Sequence, residues 1–201
     1  MEYVGSGLCQ ETGDKNRLKD EEENMKPFVM YLIGTSGSGK TTIARKLAEE
    51  LEKRGMSNFQ LIDGDEIRDE MDGLFGYTYE ERMKNNTVVC LVVSYLIRNS
   101  INVILAQVAG YQKMRDQVRC KSGGEYIEIY VKCSVEECAR RDVKGYYKRV
   151  KSGEMKNVNG LDTMFETPQN SDLIIDTEKV SVDEAVKLVL DLLERKQYLA
   201  T

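Results

Sequence analysis

The stretch Gly34-Thr35-Ser36-Gly37-Ser38-Gly39-Lys40-Thr41 fits G-x-x-x-x-G-K-[ST] and follows directly on the apolar run Phe28-Val29-Met30-Tyr31-Leu32-Ile33. Glycines at this spacing let the backbone curl until consecutive N–H groups point inward at phosphate oxygens. The helix that follows adds the positive end of its dipole. Lys40 then reaches the β- and γ-phosphates of a nucleoside triphosphate, and the Thr41 hydroxyl, in the first helical turn, is placed to ligate the accompanying Mg²⁺. Residues 34–41 and Thr42 form the expected nucleotide-binding set. A flexible Gly/Ser turn would need neither Lys nor Thr at those places. The context agrees: a buried-type strand precedes the loop, and apolar residues recur at helical spacing over Thr42 to Leu51.

At 201 residues the chain is long enough for a central sheet covered on both faces. A net charge of −5 argues against a nucleic-acid surface, and no apolar run is long enough to span a membrane. Histidine is absent, which excludes imidazole bases and His-ligated zinc and leaves acid–base work to Asp, Glu, Lys or Tyr. Five cysteines without a C-x-x-C pair suit free thiols in a reducing cytoplasm, the expected location.

Residues 1–26 are polar and carry the acidic run Asp20-Glu21-Glu22-Glu23, so a flexible extension is expected there, with the folded domain at 27–201. Deleting 1–24 is expected to leave stability and activity nearly unchanged. Phe59 to Ile62 reads as a second strand ending in Asp63-Gly64-Asp65, where carboxylates at a strand's C-terminal end face a ligand crevice. Asp63 is therefore the candidate to position an acceptor hydroxyl. A long helix over Tyr79 to Arg98 sets Arg82 and Asn85 on one face. Strands over Asn102–Gln107, Glu125–Val131 and Asp172–Asp176 alternate with helices over Gly110–Cys120, with Arg115 and Arg119 exposed, over Ser134–Arg141, and over Ser181–Leu199. The helices at Ser134 and Ser181 start with capping-box spacing to Glu137 and Glu184. Residues 142–168, basic and punctuated by glycine, read as a lid lacking apolar periodicity. Alternating strands and helices give an α/β fold: a five-stranded parallel sheet with helices on both faces and a basic lid, the P-loop kinase core.

From about Pro27 onward the chain resembles the adenylylsulfate kinase family. The family's strand-end motif L-D-G-D-x-x-R stands as Ile62-Asp63-Gly64-Asp65-Glu66-Ile67-Arg68, and D-R-x-x-N as Glu81-Arg82-Met83-Lys84-Asn85. R-D-x-K-G-L-Y-K and G-E-I-K-N appear as Arg141 to Lys148 and Gly153 to Asn157, and Gly160-Leu161-Asp162 continues the match. The resemblance implies transfer of the ATP γ-phosphoryl group to the ribose 3′-hydroxyl of adenylyl sulfate, usually by a dimer. It implies an acceptor site of Asp65, Arg68, Tyr77, Arg82, Asn85, Val108, Ala109 and Phe165, with Tyr77 and Phe165 sandwiching the adenine. It also implies Arg141 near the ATP adenine, and Lys144 acting with Lys40 and Asp63 in catalysis.

Two departures stand out. Val108-Ala109-Gly110-Tyr111-Gln112 replaces the family's I-S-P-[YF]-R, and Asn86 and Thr87 stand where an Arg pair usually follows. Each lost Arg removes roughly 1.5–3 kcal/mol of charged hydrogen bonding. The departures predict that adenylyl sulfate is a modest or non-preferred substrate, with another nucleotide-linked acceptor such as cytidine diphosphoramidate as the alternative. Ala109 has no oxygen to phosphorylate, so direct transfer without a phosphoenzyme is expected. The remaining alternatives are a catalytically inactive ATP-binding paralogue, against which Lys40, Thr41, Asp63 and the lid count, and a regulatory GTPase, for which no N-K-x-D motif is present.

Overall fold

The computed structural model describes residues 26–199, so the expected extension at 1–26 lies almost wholly outside it. Five parallel strands, β1 (Val29–Ile33), β2 (Phe59–Asp63), β3 (Asn102–Gln107), β4 (Tyr126–Lys132) and β5 (Leu173–Asp176), form one sheet in the order β2-β3-β1-β4-β5. β1 is central and fully buried, with Val29 opposite Val103 on one side and Tyr126 on the other. Its residues alternate between two cores, as a strand's period of two requires. Met30 and Leu32 join Ile43, Leu47, Val186 and Val189 from α1 (Lys40–Lys53) and α7 (Val182–Arg195). Val29, Tyr31 and Ile33 instead meet Val89, Val93 and Val118 from α3 (Tyr79–Arg98) and α4 (Gln112–Lys121). The remaining helices, α2 (Gly64–Glu70), α5 (Val135–Arg141) and α6 (Tyr146–Lys151), sit at or near the C-terminal ends of the strands.

The chain passes from β1 to β2 and back to β3 on one side, then crosses over to β4 and β5 on the other. Its connections therefore diverge at β1, and a crevice opens outside the strand ends at that point. α3 starts at a full capping box of Thr78 and Glu81 that the sequence reading did not identify, and Ser181 with Glu184 forms the expected one. At α5 the box is half made. Ser134 accepts the Glu137 N–H, but the Glu137 carboxylate is taken by Arg140 and Arg141.

One further expectation is corrected: Arg115 is only 1% exposed, because its guanidinium turns inward to the loop after β3. Residues 142–168, read from the sequence as a lid, contain α6 and bury Tyr147, Met155, Val158 and Asn159. Single anchors separated by exposed Lys and Gly make no periodic pattern, so they escaped a search for periodicity. The four described cysteines are free thiols, and no described helix is long and apolar enough to cross a membrane.

Candidate active site

β1 delivers the phosphate loop into the crevice. Gly34 has φ +152°, and a Cβ there would lie 2.3 Å from the Val131 carbonyl oxygen, so the loop leaves the sheet at a point only glycine can occupy. Gly39 precedes α1 in a left-handed conformation and has no side chain to cap the helix, which leaves the first-turn N–H groups for an anion. Lys40 folds back over the loop, and its Nζ donates to the Thr35 carbonyl at 2.7 Å and to Ser38 Oγ at 3.4 Å. Burial lowers its pKa to about 8, with Asp65 opposing the shift and Lys144 adding to it.

Thr41 Oγ1 donates to Asp63 Oδ2 at 2.6 Å, joining the phosphate loop to the end of β2. The other Asp63 oxygen accepts the Asp65 N–H at 2.9 Å and caps α2. One carboxylate thus fixes both the Thr41 hydroxyl and the start of α2. Thr42 is exposed on the first turn of α1. Arg141 donates to the Thr177 hydroxyl and carbonyl, and that hydroxyl in turn donates to Ser38 O, which sets the guanidinium beside the loop on the β5 side.

Across the crevice, Asp65, Arg68, Tyr77, Arg82, Val108 and Ala109 line one narrow cavity, as the sequence suggests. Arg68 and Arg82 both lie over the Tyr77 ring, at 4.7 and 5.3 Å from its centroid. Arg82 also donates to Tyr77 O and to Asn157 O in the lid, and burial together with the nearby Arg68 charge lowers its pKa to about 10. Asn85 is fully buried, and neither polar atom of its amide has a partner among the described residues. Unlike Arg82 on the same helix, Asn85 is not among the residues that line the cavity. Lys144, in the lid, donates to Asp65 Oδ2; burial opposes its charge, but the Asp65 carboxylate outweighs burial and raises its pKa.

Phe165 does not join this set. It stacks on Tyr130 at 6.1 Å and 20° and lines a separate opening, while Tyr77 meets Tyr146 edge-on at 6.2 Å. The two rings expected to flank the adenine thus line different openings here: Tyr130 offers Phe165 a ring at the end of β4, and two guanidinia lie over Tyr77. The sequence reading missed Tyr146, Asn159, Met114 and Gln107 as cavity residues. It also missed Arg115, whose Nη1 donates to Ala109 O at 2.9 Å and whose Nη2 donates to Gln112 Oε1 at 2.6 Å. Ala109 is buried in a left-handed conformation at φ +46°. Gln112, where the family pattern has Arg, thus holds a buried Arg in place.

The lid is tied down by Tyr147, whose hydroxyl donates to Ser36 O at 2.8 Å. Trypsin is expected to cut first between Lys144 and Lys156, with nucleotide plus acceptor protecting those bonds. Tyr147→Phe should speed that cleavage roughly fivefold, the effect of losing a bond worth about 1 kcal/mol. An unchanged rate in the variant would mean that this bond does not hold the lid.

Residues 26–176 match the sequence model of the adenylylsulphate kinase family. The adenylyl-sulfate kinase of Oceanobacillus iheyensis is 35% identical over 193 residues, covering 96% of each chain. That of Staphylococcus carnosus is 37% identical over 177 residues, covering 88% of each. Among solved structures, the Mycobacterium tuberculosis APS kinase in complex with AMPPNP and APS superposes with a TM-score of 0.78 at 27% identity, over 84% of this chain and 98% of that one.

Proposed function

The chain belongs to the adenylylsulphate kinase family, and from that premise we propose that it transfers the γ-phosphoryl group of ATP directly to the ribose 3′-hydroxyl of adenylyl sulfate. The observation that carries the reading is the 2.6 Å bond between Thr41 and Asp63, which joins a complete phosphate loop to the carboxylate that caps α2, the helix whose Gly64, Asp65 and Arg68 line the cavity. Relatives at this identity favour adenylyl sulfate over the diphosphoramidate alternative, against the expectation drawn from the departures at 86–87 and 108–112 that adenylyl sulfate is a modest or non-preferred substrate, and the same set of residues argues against an inactive paralogue.

The site supplies a hydroxyl and carboxylate oxygens, which are the hard ligands Mg²⁺ takes, and no cluster of three His, Cys, Asp or Glu stands ready among the described residues. Thr41 and Asp63 would therefore hold the ion together with the nucleotide's own phosphates. When bound, it neutralises charge on the phosphoryl oxygens. The loop N–H groups and Lys40 hold the β- and γ-phosphates in line with the acceptor, Asp63 orients the 3′-hydroxyl and takes its proton, and Lys144 leaves Asp65 to meet the developing charge. Arg68 and Arg82 hold the acceptor. Buried Ala109 has no hydroxyl, which supports a single displacement. Exposed Leu91 and Tyr95 on α3 supply an apolar face consistent with a homodimer.

A coupled ATP-consumption assay over a panel of nucleotide acceptors tests the reading. The highest kcat/KM is expected for adenylyl sulfate, and a higher value for cytidine diphosphoramidate would overturn it. Acid quenching with γ-labelled ATP should leave no label on the protein. A pH series offers a further check. Ligand-free Lys40 loses its proton near pH 8, and the triphosphate draws one back, so ATP binding takes up a proton and weakens by up to about tenfold per pH unit above that value. Calorimetry in buffers of different ionisation enthalpy measures the uptake directly.

A further inference from the structure

We infer that Asn159 reads the base of the acceptor, and that its Oδ1 accepts a hydrogen from an exocyclic amino group. This inference rests on the proposed function above and assigns a role within the same cavity. Asn159 lines that cavity with Val108, Ala109, Met114 and Val158, which form its apolar wall, whereas Asp65, Arg68 and Arg82 supply its charged part. A purine ring suits the apolar wall, and a phosphosulfate suits the cations. Asn159 is 1% exposed. Its Nδ2 donates to Met164 O at 2.7 Å, which fixes the amide's orientation, and its Oδ1 is buried with no partner among the described residues. Leaving such an acceptor unpaired is costly, so the site is more stable with a donor in place.

The neighbouring backbone makes room for this amide. A Cβ on Gly110 would lie 2.2 Å from Asn159 Nδ2 and 2.6 Å from its Cγ. Any side chain at 110, including the proline of the family pattern, would displace Asn159. The Gly110 departure and Asn159 are therefore one feature: the space vacated at 110 is occupied by the amide of a residue that lines the cavity, and the oxygen of that amide is left without a partner among the described residues. A 6-amino purine presents a hydrogen to that oxygen, and a 6-oxo purine presents a second acceptor that repels it.

The test compares adenylyl sulfate with its hypoxanthine counterpart in the wild-type protein, Asn159→Ala and Asn159→Asp. Wild type should prefer the amino compound by at least about tenfold in kcat/KM, expressed through acceptor KM. Asn159→Ala should bring that ratio near one while leaving the ATP KM unchanged. Asn159→Asp, which sets an acceptor oxygen against Met164 O and so loses the bond that fixes the side chain, should also lose most of the preference. Gly110→Ala provides a second route, since it pushes the native Asn159 aside and should erode the same ratio. An equal ratio in wild type and Asn159→Ala would overturn the inference while leaving the kinase assignment intact, as would a lowered melting temperature with the ratio preserved. Wild-type protein that does not phosphorylate adenylyl sulfate would overturn both.

Discussion

Lys40→Met is expected to lower kcat by at least about a thousandfold and, in the same protein, to raise the melting temperature of the ligand-free form. The first effect follows from the loss of the one side-chain cation in the loop, which must neutralise charge on the transferred phosphoryl group. The second follows from its burial. The folded pKa, about 8, lies below the unfolded value of 10.5, so between these values the unfolded chain binds the proton more tightly and stability rises with pH. At pH 7 the charged lysine carries the full cost of its buried position, roughly 1–3 kcal/mol, and methionine removes that cost while filling similar space. The stabilisation should shrink as the pH rises through 8 towards 10. Scanning calorimetry of both proteins at pH 7 and pH 10 checks the sign, and a variant less stable than wild type at both values would show that the bonds to Thr35 and Ser38 outweigh the desolvation.

The second large effect is expected at Asp63, where two substitutions separate two roles. Asp63→Asn keeps an oxygen to cap α2 and should cost about 1 kcal/mol or less in stability, yet it should reduce kcat by at least about a hundredfold, because an amide cannot take the hydroxyl proton. Asp63→Ala should lose both functions, the cap as well as the chemistry. Chemical denaturation and steady-state kinetics on the pair give the comparison. Activity near wild type in Asp63→Asn would remove this carboxylate from the proton transfer.

Local rules made much of this visible in the sequence. The strands and most helices follow from runs of apolar residues at periods of two and 3.6, and the phosphate loop from its fixed spacing. Asp63 could be located because strand ends in a parallel sheet face one side. The misses have other causes. Arg115 looks like a solvated helix charge, and only the loop after β3 shows that it turns inward to hold Ala109. Phe165 and Tyr77 belong together by family pattern, yet Phe165 stacks on Tyr130 from a distant strand while the nearby Arg68 and Arg82 lie over Tyr77. Asn159 carries no signal at all until Gly110 is placed beside it in space. The Phe165 and Asn159 contacts join distant segments that no window along the chain contains, whereas Arg115 turns back on Ala109 and Gln112 only a few residues away, a turn that helical periodicity does not show.

The glycines around the crevice imply an asymmetry in how such an enzyme can diversify. On the donor side, a methyl group at Gly34 or Gly37 would press on carbonyl oxygens of the backbone, Val131 O and Cys138 O, and no exchange of a neighbouring side chain would relieve it. On the acceptor side, Gly64 and Gly110 press instead on the side chains of Gln107 and Asn159. There, a second substitution opposite the first can restore the fit. Lineages descending from this architecture are thus free to trade acceptors by paired exchanges, while their use of nucleoside triphosphate stays fixed by the main chain itself.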